Sequence, residues 1–74
     1  MKNRVSVDIV APGSALVSAR GGHSGRVGRD GRRMWIEDAD TEEVIGHADS
    51  YHAAGEVFAR HHGIPDPDVV VVRE

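Results

Sequence analysis

Arginine and tryptophan cluster in one short stretch of this sequence, where their side chains suit the recognition of a charged partner. Arg26, Arg29, Arg32, Arg33 and Trp35 all fall within residues 26–35. A guanidinium group can clamp phosphates and can reach the edges of guanine bases. Arg and Trp are also frequent energetic anchors at protein interfaces. We therefore predict that these five residues form a binding site, either for nucleic acid or for another protein.

The five histidines do not have the spacing of a metal site. They are His23, His47, His52, His61 and His62. Two ligands on one helix face need a spacing of four residues, whereas His61 and His62 are adjacent and diverge by about 100°. The sequence also lacks cysteine, so thiolate ligands are excluded. We predict neither a metal site nor a cofactor, and we interpret the last two histidines as residues favoured by the helix macrodipole.

No stretch of the sequence has the motif of an enzyme active site. It lacks both a glycine-rich phosphate loop followed by lysine and a nucleophile elbow. His23 and Ser24 are adjacent within the segment GGHSG, but neighbours along a strand point to opposite faces. The acidic stretch Glu37–Glu43 lacks the spacing of a calcium-binding EF-hand loop, and we interpret it as a solvated turn. The sequence thus predicts a non-enzymatic protein.

One segment, Asp49–Ile64, has every sequence signal of an α-helix. Asp49 or Ser50 can cap its first turn, Gly63 suits a left-handed stop, and Pro65 prevents continuation. At about 100° per residue, one largely apolar stripe runs along its length. The members of this stripe are Tyr51, Ala54, Gly55, Phe58 and His62. The pattern predicts a helix over about residues 50–62 that packs this stripe on the rest of the domain.

Short strands separated by turn residues fill the rest of the chain. Arg4–Val10 alternates between apolar and polar residues, as a half-buried strand does. Residues 14–20 fit either a strand or a short helical turn, and the turn residues on both sides favour a strand. Glu42–His47 has the charges of an edge strand. Val69–Val72 is continuously apolar, which is consistent with burial on both faces, a central position or a dimer seam.

The clearest hairpin lies within residues 24–38, because Asp30-Gly31 is a strong signal for a two-residue type I′ turn. Such a turn fixes which residues oppose one another across the two strands. The expected pairs are Arg29 with Arg32, Val27 with Met34, and Arg26 with Trp35. The last pair permits a cation–π contact worth about 0.5–1 kcal/mol at an exposed site.

Side-chain alternation then assigns the hairpin residues to the two faces of the sheet. The core face receives Val27, Met34 and Ile36. The open face receives Arg26, Arg33, Trp35 and Glu37. The predicted binding surface depends on this alternation, because it leaves the indole in solvent beside the guanidinium groups.

Together these elements predict an α+β fold for the single domain 1–74. It consists of a small antiparallel β-sheet, a meander of short strands, with one α-helix on one face and a short C-terminal strand. A chain of this length buries about 60% of its unfolded surface, so its stability is marginal. Gly55 lies within the helix, where glycine costs about 1 kcal/mol relative to alanine. We expect the helix to approach the sheet closely at this residue.

From Arg26 through the helix, the sequence resembles the DNA-binding domains of plant AP2 factors and the arm-binding domains of tyrosine recombinases. In that pattern an Arg/Trp-rich hairpin leads into a third strand, and a Gly–x–aromatic–Asp–Thr segment opens a helix containing Ala-Ala. Residues 45–50 (IGHADS) and Ala53-Ala54 stand in those places, with Ala48 at the position of the aromatic residue. The resemblance implies a three-stranded sheet with one helix. It also implies DNA contacts from Arg26, Arg32, Arg33 and Trp35.

Charge is segregated along the chain, although its net value is −3. Residues 20–33 carry five arginines and one aspartate, or 5 − 1 = +4, and residues 37–49 carry six acidic residues, or −6. No apolar run approaches the roughly 20 residues that span a bilayer, and no signal-peptide pattern opens the chain, so we expect a cytoplasmic protein without a membrane partner. The leading prediction is a DNA-binding module. The alternative is a protein-interaction or homo-oligomerising module that uses the open face or Val69–Val72.

Overall fold

The computed structural model describes residues 3–73, which form six strands and one helix. In chain order these are β1 (Asn3–Ala11), β2 (Ser14–Ala19), β3 (His23–Asp30), β4 (Arg33–Asp38), β5 (Glu43–Ala48), α1 (Tyr51–His61) and β6 (Pro67–Arg73). The strands form one sheet in the order β5-β4-β3-β2-β1-β6. The predicted α+β class, with one helix packed on a sheet, is confirmed. The preference for a strand in residues 14–20 is confirmed for residues 14–19, and Arg20 lies in the following turn.

The sheet departs from the predicted antiparallel meander at one pair of strands. β1 to β5 are antiparallel neighbours, whereas β6 pairs with β1 in parallel. The reason is the helix, which follows β5 at one edge of the sheet and carries the chain across to the other edge. A parallel neighbour requires such a crossover, because a tight turn can join only antiparallel strands. Val69–Val72 therefore belongs to an edge strand and not to a central one.

The helix begins and ends as its sequence predicts. Ser50 is the N-cap, and its side-chain oxygen accepts a hydrogen bond of 3.1 Å from the Ala53 N–H. Gly63 has a φ of 65°, and the Ile64 N–H donates to the Ala59 carbonyl at 2.9 Å. This bond is the outer one of a Schellman motif. Within residues 3–73, no helix combines the length and the apolar character that crossing a bilayer requires.

The hydrophobic core lies between α1 and one face of the sheet. The helix contributes the buried residues Ala54, Phe58 and Ala59, and Phe58 is the largest fully buried side chain. The sheet contributes Val5, Val7, Ala15, Val17, Val27, Met34 and Ile36. The hairpin residues predicted to face the core therefore do so.

Two glycines allow the helix to lie close to the sheet. A Cβ at Gly55 would lie 2.5 Å from Cγ1 of Val69 and 3.1 Å from Cγ2 of Val7, at the seam between β6 and β1. A Cβ at Gly46 would lie 2.8 Å from Cγ1 of Val57, so the helix is also close to β5. The predicted close approach at Gly55 is confirmed, and it accounts for a glycine in the middle of a helix.

Candidate functional site

The β3–β4 hairpin has a two-residue loop, but Gly31-Arg32 forms it and not Asp30-Gly31. Asp30 opposes Arg33 as the last pair of the ladder. Gly31 has a φ of 66°, and glycine at the first loop position is typical of a type II′ turn. The predicted type I′ turn would have required a positive φ at Asp30, but Asp30 does not have one.

The new position of the loop changes which residues oppose one another across the two strands. It leaves each side chain on the face of the sheet that was predicted for it. The expected pairs Arg29–Arg32, Val27–Met34 and Arg26–Trp35 are wrong. Arg26 opposes Glu37, and Trp35 opposes Gly28. Because the pairing is displaced by an even number of residues, each side chain keeps the face that its sequence position predicted. The open face, which is the side of the sheet opposite α1, therefore carries Trp35.

Trp35 rests on the backbone of the neighbouring strand. Its side chain is half-buried instead of free in solvent. A Cβ at Gly28 would collide with carbon atoms of the indole, among them Cζ2 and Cε2. Gly28 thus provides the space that the ring occupies, which leaves part of the indole accessible to a partner.

The structure does not bring the five predicted site residues together on one surface. Arg26, Arg33 and Trp35 share the open face. Arg29 is on the helix side, where it lines an open depression at the rim of the sheet. Arg32 is in the hairpin loop. Three of the five residues can therefore contact a partner bound to the open face.

A row of directly opposed residues crosses the whole sheet on the open face. From β6 to β5, the row consists of Val72, Asp8, Leu16, Arg26, Glu37 and Val44. Three of its members are large apolar residues with much of their surface exposed: Val72 at 41%, Leu16 at 49% and Val44 at 52%. We call this set the central row. It combines exposed apolar surface with charges of both signs.

The open-face arginines of the hairpin lie opposite acidic residues. Nη2 of Arg26 is 2.9 Å from Oε1 of Glu37, and Arg33 opposes Asp30 across the ladder. Nearby opposite charges reduce the positive potential that attracts a phosphate backbone. The open face is therefore less positive than the charge of +4 for residues 20–33 suggests.

A second cluster lies at the end of α1 and consists of Asp38, His61 and His62. Oδ2 of Asp38 is 3.4 Å from Nε2 of His61 and 3.5 Å from Nε2 of His62. The Asp38 side chain is 3% exposed, so the interpretation of residues 37–43 as a solvated turn is wrong for this residue. We call these three residues the Asp/His cluster.

The spacing of the histidines in the sequence did not predict this cluster, and the reason is physical. His61 is the last residue of the helix and His62 is its C-cap, so the two rings are at a helix end, with centroids 5.0 Å apart. Their different directions from the helix axis do not prevent both rings from reaching one atom of the sheet. The presence of His62 in the buried stripe of α1 is the sequence signal that points to this contact.

Comparison with known proteins identifies no relative of this chain. No family model matches it, and no curated protein or solved structure gives a significant match. The function is therefore inferred from the geometry of the open face and of the Asp/His cluster.

Proposed function

We propose that this chain is a small, non-enzymatic protein-binding module whose open face binds a second copy of the same chain. The observation that supports this proposal is the central row, in which exposed apolar side chains stand among charges of both signs. In β-sandwiches, two sheets packed face to face about 10 Å apart bury surfaces of this kind.

The dimensions of the domain suit a dimer of this kind. The principal extents are 34 × 25 × 18 Å, so the rectangle that bounds the broad side of the whole domain measures about 34 × 25 = 850 Å². A standard protein interface buries about 800 Å² on each partner. A dimer through the open face would therefore have to cover nearly all of this side of the domain.

The order of residues at the middle of the central row supports self-association. Leu16 has Asp8 on one side and Arg26 on the other. A two-fold axis that passes over Leu16 and runs parallel to the strands would place the two Leu16 side chains against each other. The same axis would place Asp8 of each copy opposite Arg26 of the other, so that two equivalent ion pairs flank an apolar centre.

Charge reversal at the centre of the interface tests this proposal. We expect Asp8→Arg to weaken dimerisation by about 100-fold or more, because juxtaposed like charges cost several kcal/mol at an interface. The double variant Asp8→Arg with Arg26→Asp is expected to recover much of the dimer, since it restores opposite charges across the axis. Sedimentation equilibrium measures both effects. Glu56→Arg, the same change of charge on the exposed side of α1, is the matched control.

Two results would contradict the self-association proposal in different ways. A wild-type chain that remains monomeric at millimolar concentration would exclude a second copy as the partner. A dimer that Asp8→Arg leaves intact would exclude the open face as the interface, and the uncovered edge of β6 would then be the next surface to test.

DNA binding is a second candidate, and one observation favours it. β3, β4 and β5 are three adjacent antiparallel strands of the six-stranded sheet, and α1 packs on one face of them. This part of the sheet has the arrangement that the resemblance to AP2-type domains implies, although β2, β1 and β6 extend the sheet beyond three strands. Arg33 and Trp35 lie on the face that would meet the DNA. Strands are known to enter the major groove in other proteins.

Titration with duplex DNA at about 50 and 200 mM salt distinguishes this candidate from protein binding. If arginines neutralise phosphates, the affinity falls steeply with salt. Arg33→Ala and Trp35→Ala are then expected to remove most of the binding, whereas Arg60→Ala, an equal loss of charge on α1, leaves it unchanged. A failure to bind at the lower salt concentration would rule out this candidate.

A further inference from the structure

We propose that the Asp/His cluster binds a divalent transition-metal ion of the zinc type. Imidazole nitrogen and carboxylate oxygen are common ligands of Zn²⁺ in proteins. Asp38, His61 and His62 offer one such atom each, and these atoms lie within 4.8 Å of one another. The site is on the helix side of the sheet, so it does not depend on the function proposed for the open face.

The distances in the cluster suit metal ligation better than direct hydrogen bonding. The two nitrogen–oxygen distances are 3.4 and 3.5 Å, whereas a charge-assisted N–H···O bond is about 2.8 Å long. Two ligands that bind a tetrahedral zinc ion at about 2.0–2.1 Å are about 3.4 Å apart. The spacing therefore leaves room for an ion between the Asp38 carboxylate and the two rings.

His62 provides a second, independent observation that points to a ligand. Its side chain is 10% exposed, and its Nε2 is buried without a hydrogen-bond partner among residues 3–73. A buried polar atom that lacks a partner destabilises the folded state. Coordination of an ion would satisfy this nitrogen, which is directed at the Asp38 carboxylate.

Contacts around the cluster hold two of the three ligands in position. The His62 ring stacks on the His23 ring with centroids 4.1 Å apart, and its centroid is 4.6 Å from that of Phe58. Oδ1 of Asp38 accepts a hydrogen bond of 3.1 Å from the Asp40 N–H, which leaves Oδ2 for the ion. Supporting contacts of this kind orient ligands and raise metal affinity.

The third ligand, His61, opens the site to solvent. Its side chain is 43% exposed, so one side of the cluster is accessible. Three protein ligands and one accessible position are typical of zinc sites that also bind water or an external ligand. The ion would join the end of β4 to the end of α1, two segments that are far apart in the sequence.

Zinc titration by calorimetry, together with thermal unfolding, tests the proposal. The wild-type chain is expected to bind one ion and to gain about 10 °C or more in Tm at a 100-fold excess of zinc over Kd. His61→Ala removes an exposed ligand with little effect on folding. It should weaken zinc binding by about 100-fold or more, since even the loss of a supporting contact typically costs 10–100-fold.

His52→Ala is the matched control, because His52 is an exposed histidine of the same helix outside the cluster, with a side chain 61% exposed. It is expected to bind zinc as the wild type does. Asp38→Asn is a second variant that retains an acceptor for Asp40 but loses the anionic ligand, and we expect it to lose binding as well. A wild-type chain that binds no zinc at millimolar concentration would overturn the proposal. Equal losses in His61→Ala and His52→Ala would also overturn it, since they indicate dispersed surface binding.

Discussion

Phe58→Ala is expected to lower the free energy of unfolding by about 3–5 kcal/mol, the range for truncation of a buried phenylalanine. Phe58 is the largest of the fully buried side chains. A 74-residue chain has a total stability of roughly 4–11 kcal/mol, at 0.05–0.15 kcal/mol per residue. One substitution therefore removes a large part of the stability, because the helix keeps few other large contacts with the core.

Urea unfolding followed by circular dichroism measures this loss. Phe58→Leu should lose clearly less, since leucine fills much of the same volume. Glu56→Ala, an exposed position of the same helix, is the control and should stay within about 0.5 kcal/mol of the wild type. A loss below about 1 kcal/mol for Phe58→Ala would show that the helix is not anchored through this ring.

Gly25→Ala is expected to destabilise the fold by about 1–3 kcal/mol, the range for overpacking a core. A Cβ at Gly25 would collide with the backbone carbonyl of Glu37. It would also lie 3.0 Å from Cε1 of Phe58 and 3.2 Å from Cγ1 of Val17. A backbone carbonyl cannot rotate away as a side chain can. The usual gain of about 0.4–1 kcal/mol on replacing glycine by alanine is therefore reversed here.

The same unfolding measurement tests Gly25→Ala, with Ser24→Ala on the opposite, exposed face as its control. Combination with Phe58→Leu adds a second test. The double variant should lose less than the sum of the single losses, because the smaller side chain relieves part of the crowding. A neutral Gly25→Ala would indicate that β3 and β4 separate at little cost.

The features of the fold that depend on neighbouring residues were predictable from the sequence. Ser50 and Gly63 delimit α1, because a capping residue interacts only with the backbone of the adjacent helix end. The faces of the β3–β4 hairpin were also predictable, since alternation survives a displacement of two residues. The loop position was not, because Asp30-Gly31 and Gly31-Arg32 both offer a glycine that tolerates a positive φ.

Several features that depend on distant parts of the chain were not predictable. The parallel pairing of β6 follows from the path of the helix across the sheet, which no local pattern encodes. The Arg26–Glu37 ion pair required the correct loop position. Asp38 meets His61 and His62 because the helix packs on β4, and the separation of these residues in the sequence gave no sign of it.

The parallel seam between β1 and β6 also has a consequence for the speed of folding. Asn3 pairs with Pro67, and these residues are 67 − 3 = 64 positions apart, whereas short turns join the strands from β1 to β5. Contacts between distant positions require the closure of a long loop before any of them forms, and proteins rich in such contacts fold slowly. We therefore expect this chain to fold more slowly than a sheet of equal size built from hairpins alone. The slow step is expected to be the pairing of β6 with β1.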